Sequence, residues 1–158
     1  MKKFLSIVMV LSTLTVLNAK EVDVGAVLDD YIAAWNAHDI EKIETFYADD
    51  VIWYDLGYDY TTRGKAAVSK AITDAFMGHV PDMYWGKSGD LIISGHTAVY
   101  EWVYGGTFNG MWDGKRIKDK KFEIRGISTT TIDDHGKIIS HKDYYDLLRF
   151  KKQLGLIQ

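Results

Sequence analysis

Residues 97–108 read Thr97-Ala98-Val99-Tyr100-Glu101-Trp102-Val103-Tyr104-Gly105-Gly106-Thr107-Phe108. Aromatic side chains fall on Tyr100, Trp102 and Tyr104, with Glu101 between them. A period of two is the repeat of a strand that turns one face to a core. Going toward the C-terminus, Asn109 to Lys120 is a polar, glycine-containing connection and Phe122 to Ile132 a β-branched strand. Asp133-Asp134-His135-Gly136 reads as a turn, and Lys137 to Tyr145 as the last strand. Leu147 to Leu154 suits a short helix stopped at Gly155, with Asp146 as its N-cap. Going toward the N-terminus, Ser94-Gly95-His96 is a hairpin turn, and Met83 to Ile93 carries one or two strands interrupted near Ser88-Gly89.

Further upstream the period changes to 3.6. Val24, Val27, Leu28, Tyr31, Ile32 and Trp35 form one stripe of an amphipathic helix, broken by Asn36-Ala37-His38. Asp39 is an N-cap for a shorter second helix with the stripe Ile40, Ile43, Phe46 and Tyr47. Val51-Ile52-Trp53-Tyr54 is a strand, and Leu56 to Thr62 a loop. After Gly64 a third helix is marked by Val68, Ala71, Ile72, Ala75 and Phe76, with Gly78 as its stop and Pro81, the only proline, beyond it. Helices first and strands afterwards predict an α+β fold with an antiparallel sheet.

The chain has 158 residues, 47% of them hydrophobic, which is enough for one core without covalent staples. It has no cysteine, which excludes disulfides, thiolate catalysis and cysteine-based zinc sites. A net charge of −3 argues against a nucleic-acid partner, and no Lys/Arg run is present to hold anionic lipid. Met1-Lys2-Lys3, the uncharged run Phe4 to Leu17 and Asn18-Ala19 have the layout of a secretory signal, too short to span a membrane as an ordinary helix. The expectation is a signal peptide over 1–19, a single domain over 20–158, and a periplasmic or secreted protein with no membrane association after cleavage.

The order of elements resembles the NTF2-like cone, and local motifs resemble its SnoaL-like branch, which includes polyketide ring cyclases. Trp35-Asn36-Ala37-His38-Asp39 and Phe46-Tyr47-Ala48-Asp49-Asp50-Val51 look like the entry to the family's first strand, and Arg63-Gly64-Lys65 like the turn into its third helix. Gly106-Thr107-Phe108-Asn109-Gly110 is similar to a Gly-Thr-His-Thr-Gly stretch of the cyclases. Arg125-Gly126 and Gly136-Lys137-Ile138 match the next hairpin. Asp143-Tyr144-Tyr145-Asp146 and Gln153-Leu154-Gly155 resemble the C-terminal signature. The resemblance implies three helices packed on a strongly curved antiparallel sheet that encloses a pocket. It also implies homodimers, and it licenses a pocket, not a reaction.

Asp143 matches the family's acid/base carboxylate on the last strand, and His141 shares its strand face. A carboxylate turned into an apolar cavity loses hydration and titrates upward, which suits proton transfer beside a carbonyl. The plainer alternatives are a solvated Asp143, or one paired with Arg125, and a His141 that only lines the wall. Asp146 is assigned to capping. The expected ligand wall is Tyr31, Trp35, Trp53, Asp55, Trp85, Trp102, Tyr104, Phe108, Arg125 and Tyr145, of which the aromatics serve equally as core. Arg125 needs an acidic partner if it points inward, Glu101 or Asp143. No metal site and no cofactor is expected. Phe108 departs from the cyclase stretch by replacing its histidine, and Tyr100-Glu101-Trp102-Val103 lacks the Arg-x-Asp pair of the epoxide hydrolases. The expected function is binding of a small, mostly hydrophobic molecule. The alternatives are a cofactor-independent cyclase or isomerase acting through Asp143, and a dimerisation module.

Overall fold

The computed structural model describes residues 21–158, so the signal assigned to 1–19 lies outside it. Helix α1 spans Val24–Asn36, with Asp23 as N-cap accepting from the Ala26 N–H at 3.0 Å. Helix α2 spans Ile40–Thr45, and Asp39 caps it by accepting from Lys42 N–H at 2.9 Å. Strand β1 (Tyr47–Asp55) turns back into β2 (Tyr60–Arg63). Helix α3 (Lys65–Ala71) widens into a π-helical segment, Ile72–Met77, that ends at Gly78. Strands β3 (Tyr84–Ser94), β4 (Thr97–Trp112), β5 (Lys115–Ile132) and β6 (Ile138–Tyr145) follow. Helix α4 (Leu147–Gln153) closes the chain, its Asp146 cap accepting from Arg149 N–H at 2.8 Å.

The six strands form one curled sheet in the order β2-β1-β6-β5-β4-β3. On the inner face Tyr100, Trp102, Tyr104 and Phe108 of β4 are buried, as are Phe122, Ile124, Ser128 and Thr130 of β5. They meet α1, α3 and α4 in a single core with Leu28, Tyr31, Val68, Phe150 and Leu154. Glu101, Arg125 and Ile127, out of phase with these, are exposed on the outer face.

The structure changes several local expectations. β1 and β6 pair in parallel, so the sheet is mixed. β6 comes back from the end of the meander to an edge of β1 that is far away in sequence, and nothing requires two strands without a hairpin between them to run oppositely. Tyr47 belongs to β1, not to the second helix, where its hydroxyl meets that of Tyr31 at 2.5 Å in the core. The segment Leu56–Thr62 contains three of the four residues of β2, because Tyr60, Thr61 and Thr62 pair with Asp55, Tyr54 and Trp53. β3 is one strand whose register slips between Lys87 and Leu91. The polar stretch Asn109–Lys120 is a hairpin: Asp113 and Gly114 both have positive φ, 48° and 77°, and close Trp112 against Lys115. Asp-Gly is the residue pair such a two-residue turn demands, and polarity alone concealed it.

Candidate functional site

The register of four strands assembles the site. Across β1, β6, β5 and β4, Asp55 lies opposite Asp143, Asp143 opposite Ser128, and Ser128 opposite Tyr100. One row along, Trp53 is opposite His141, and His141 opposite Thr130. In the next row Tyr145 faces Gly126, which faces Trp102. A Cβ on Gly126 would lie 2.3 Å from the Trp102 ring, so this glycine is what lets the indole lie across β5.

Asp143 ends up surrounded by donors. Trp53 Nε1–H donates to its Oδ2 at 2.7 Å, and the Ser128 hydroxyl donates to Oδ1 at 2.5 Å. His141 Nε2 lies 3.1 Å from Oδ1. An ionised carboxylate only accepts, so the imidazole donates through Nε2. Behind these partners Trp102 Nε1–H donates to Ser128 Oγ at 2.7 Å, and His141 Nδ1 meets Thr130 Oγ1 at 2.9 Å. The Thr130 hydroxyl in turn lies 3.3 Å from the Tyr100 hydroxyl. His141 is 1% exposed and the Asp143 side chain 14%.

This reverses the expectation that Asp143 titrates high. Burial pushes its carboxyl upward, but the His141 ring and the hydrogen bonds from His141, Ser128 and Trp53 together outweigh it and hold the pKa below the usual value. Asp55 behaves in the opposite way. Burial raises it, aided by the Asp143 charge, against hydrogen bonds from Tyr58 N–H and the Tyr145 hydroxyl. The latter runs from Tyr145 Oη to Asp55 Oδ2 at 3.0 Å. Two adjacent carboxyl groups are thus driven apart, one toward the anion and the other toward the acid.

Both border a cavity of about 70 Å³ between sheet and helices, walled by Tyr31, Trp35, Trp53, Trp85, Trp102, Tyr104 and Tyr145, with Phe76, Ile124, Phe150 and His141. A wider basin of about 570 Å³ adjoins it and shares Trp53, Asp55, Phe76, Tyr104, Tyr145 and Phe150. Phe108, Met111, Trp112, Tyr58, Tyr60, His79 and Asp113, with Thr62, Ala71, Ala75 and Val80, complete the basin. The smaller space brings together ten of the twelve residues expected from sequence, and Phe108 stands in the basin. Arg125 does not join them: it is exposed on the outer face of β5, because Ile124 and Gly126 occupy the inward phase, and so it pairs with neither Glu101 nor Asp143. Sequence reasoning missed Ser128 and Thr130. They share the inward phase with Phe122, Ile124 and Ile132, and two hydroxyls in that row require buried partners. It also missed Phe76, whose widened helical turn places it on both walls, and His79, seated where a Cβ on Gly110 would come within 2.5 Å of its ring.

Fold and site define a cavity-bearing α+β protein in which a carboxylate holding three hydrogen bonds lies against an aromatic chamber. The chain belongs to the SnoaL-like polyketide cyclase family, whose model matches residues 25–154. A SnoaL-like polyketide cyclase structure from Shewanella putrefaciens superposes with a TM-score of 0.75 at 20% identity, covering 86% of this chain and 98% of that one. TsrD from Streptomyces laurentii gives 0.72 at 24% identity, covering 85% and 96%. A protein with a ketosteroid isomerase-like fold from Catenulispora acidiphila, in complex with trimethylamine, gives 0.69 at 20% identity, covering 82% and 92%. At these identities the likeness is one of fold. No curated protein matches the sequence. Among the described residues no helix is long and apolar enough to cross a membrane.

Proposed function

We propose that this protein is exported and binds a small, mostly hydrophobic molecule in the aromatic chamber and its adjoining basin. The observation that carries this reading is the basin itself. Its volume of about 570 Å³ lies in the range of small-molecule sites, and its walls are aromatic with few polar groups. The C. acidiphila complex with trimethylamine is a case of a small molecule held by this fold. Titration of the intrinsic indole emission with neutral aromatic ligands tests the reading, because Trp35, Trp53, Trp85 and Trp102 all line the chamber. Saturable quenching at one site per chain is expected, and no change up to ligand solubility would contradict it.

A second reading, a cofactor-independent cyclase or isomerase, has its own support in the divergent carboxyls. Asp143, held as the anion, takes a proton from the carbon beside a carbonyl. Asp55, opposite it on β1 and with its pKa raised by burial, is the second carboxyl group available for proton transfer. Deuterium exchange at the α-carbon of hydrophobic ketones, recorded by NMR, tests it. The wild type should exchange faster than both Asp143→Asn and Asp55→Asn, and equal rates in the three proteins would remove the enzyme reading. Export rests on the sequence of residues 1–19. A homodimer rests on family habit and on exposed Ile92 and Ile127 of the sheet.

A further inference from the structure

We infer that the chamber is an ammonium site: the ligand carries a tertiary or quaternary ammonium head that sits against Asp143, with its hydrophobic body in the basin. This rests on the proposed binding function and narrows its ligand class. Three observations point to a cation. The first is charge. Asp143 and Asp55 line the chamber and Asp113 the basin, and neither wall contains a lysine or arginine. Apart from the His141 imidazole, which is committed to Asp143 at 3.1 Å, an anionic head would find no basic group in the chamber, whereas a cation finds two carboxyl groups.

The second is the disposition of the rings. Trp35 meets Trp53 at 74°, Trp85 at 69° and Phe76 at 86°, with centroids 5.5–6.0 Å apart. Trp53 and Phe76 stack on each other at 13°, and both stand roughly perpendicular to Trp35, as walls meeting at a corner do. Ring faces attract cations, best of all those of tryptophan, and aromatic boxes are a common answer to methylated ammonium groups. Trp53 and Trp102 direct their N–H groups to Asp143 and Ser128, whereas the buried Trp35 N–H has no hydrogen-bond partner.

The third is the state of Asp143. Its oxygens already accept from Trp53, Ser128 and His141. What remains to offer a ligand is charge more than hydrogen-bonding capacity. An alkylated ammonium asks for charge and needs few hydrogen bonds or none. A primary amine, with three N–H groups, would ask for more acceptors than the one lone-pair position left on Oδ2. The chamber's 70 Å³ suits such a compact head, and the long axis of the ligand must then run into the basin.

The test compares benzyltrimethylammonium with neopentylbenzene, which replaces the charged nitrogen by carbon at the same shape. Both are titrated at pH 7 against the purified protein by indole emission. The ammonium compound should bind at least about tenfold more tightly, the range expected for a desolvated cation over aromatic faces. Asp143→Asn should erase most of that preference, read as the ratio of the two affinities measured in the same protein. Should Asp143→Asn fail to fold, Asp55→Asn provides the second reading, with a several-fold loss for the cation alone. Equal affinities, a preference for neopentylbenzene, or a cation preference untouched in the folded variants would overturn the ammonium assignment while leaving hydrophobic binding intact. Binding of neither compound would overturn both.

Discussion

Asp143 and Asp55 are one pair of residues in register, yet their surroundings give them opposite pH signatures. The Asp143 pKa is lowered in the folded protein, so its charge stabilises the fold. That contribution is complete above the unfolded value of about 3.9 and is lost as pH falls through the lower folded value. Asp143→Asn should therefore destabilise the protein by about 3 kcal/mol at pH 7, since His141, Ser128 and Trp53 lose the charge they were arranged around. Urea unfolding at pH 7 and again at acid pH checks this: the gap between wild type and variant should close as pH falls. For Asp55 the sign is reversed. Its raised pKa means that ionisation at neutral pH works against folding, so Asp55→Asn should leave stability at pH 7 unchanged or higher. The same urea series measures it, and a loss of stability at pH 7 would contradict that sign.

Strands, more than helices, set the geometry, and β5 sets most of it. Gly126→Ala should push Trp102 off the strand, weaken its bond to Ser128 and cost roughly 1–3 kcal/mol through overpacking. Thermal unfolding with near-UV circular dichroism would show both the lower midpoint and the altered indole environment. Gly110→Ala is expected to displace His79 from the basin wall in the same way, with a smaller effect on stability because His79 is only partly buried. Elements with a strong period were legible before any coordinates. The 3.6-residue stripe of α1, the caps Asp39 and Asp146, and the alternation of Tyr100, Trp102 and Tyr104 are local signals, and the structure keeps all of them. What escaped was set by pairing. The short strand β2 exists because β1 offers it an edge, and the parallel contact of β1 with β6 joins residues some ninety positions apart. The site follows the same division. His141 and Asp143 share a face by counting in twos, whereas the acid strength of Asp143 depends also on Trp53 and Ser128, brought to it by register. Arg125 was drawn inward by composition and placed outward by the phase of its strand.

At the scale of the molecule, the SnoaL-like fold supplies a curled sheet, a helical cover and a gap between them in which a ligand can be buried. Sedimentation at micromolar concentration should give twice the monomer mass if the outer face with Ile92 and Ile127 is a dimer contact, and a monomer at all concentrations would leave those side chains as plain surface. The central claim is that the gap is occupied in the cell. Native mass spectrometry of the protein purified from its own host tests it most directly, alongside Ala75→Trp, which puts a large side chain into the basin. The account predicts a mature chain beginning at or near Lys20 that carries one small molecule per chain, and an Ala75→Trp protein of the same length that carries none. Bare polypeptide in both spectra, or the same adduct retained by the filled basin, would contradict it.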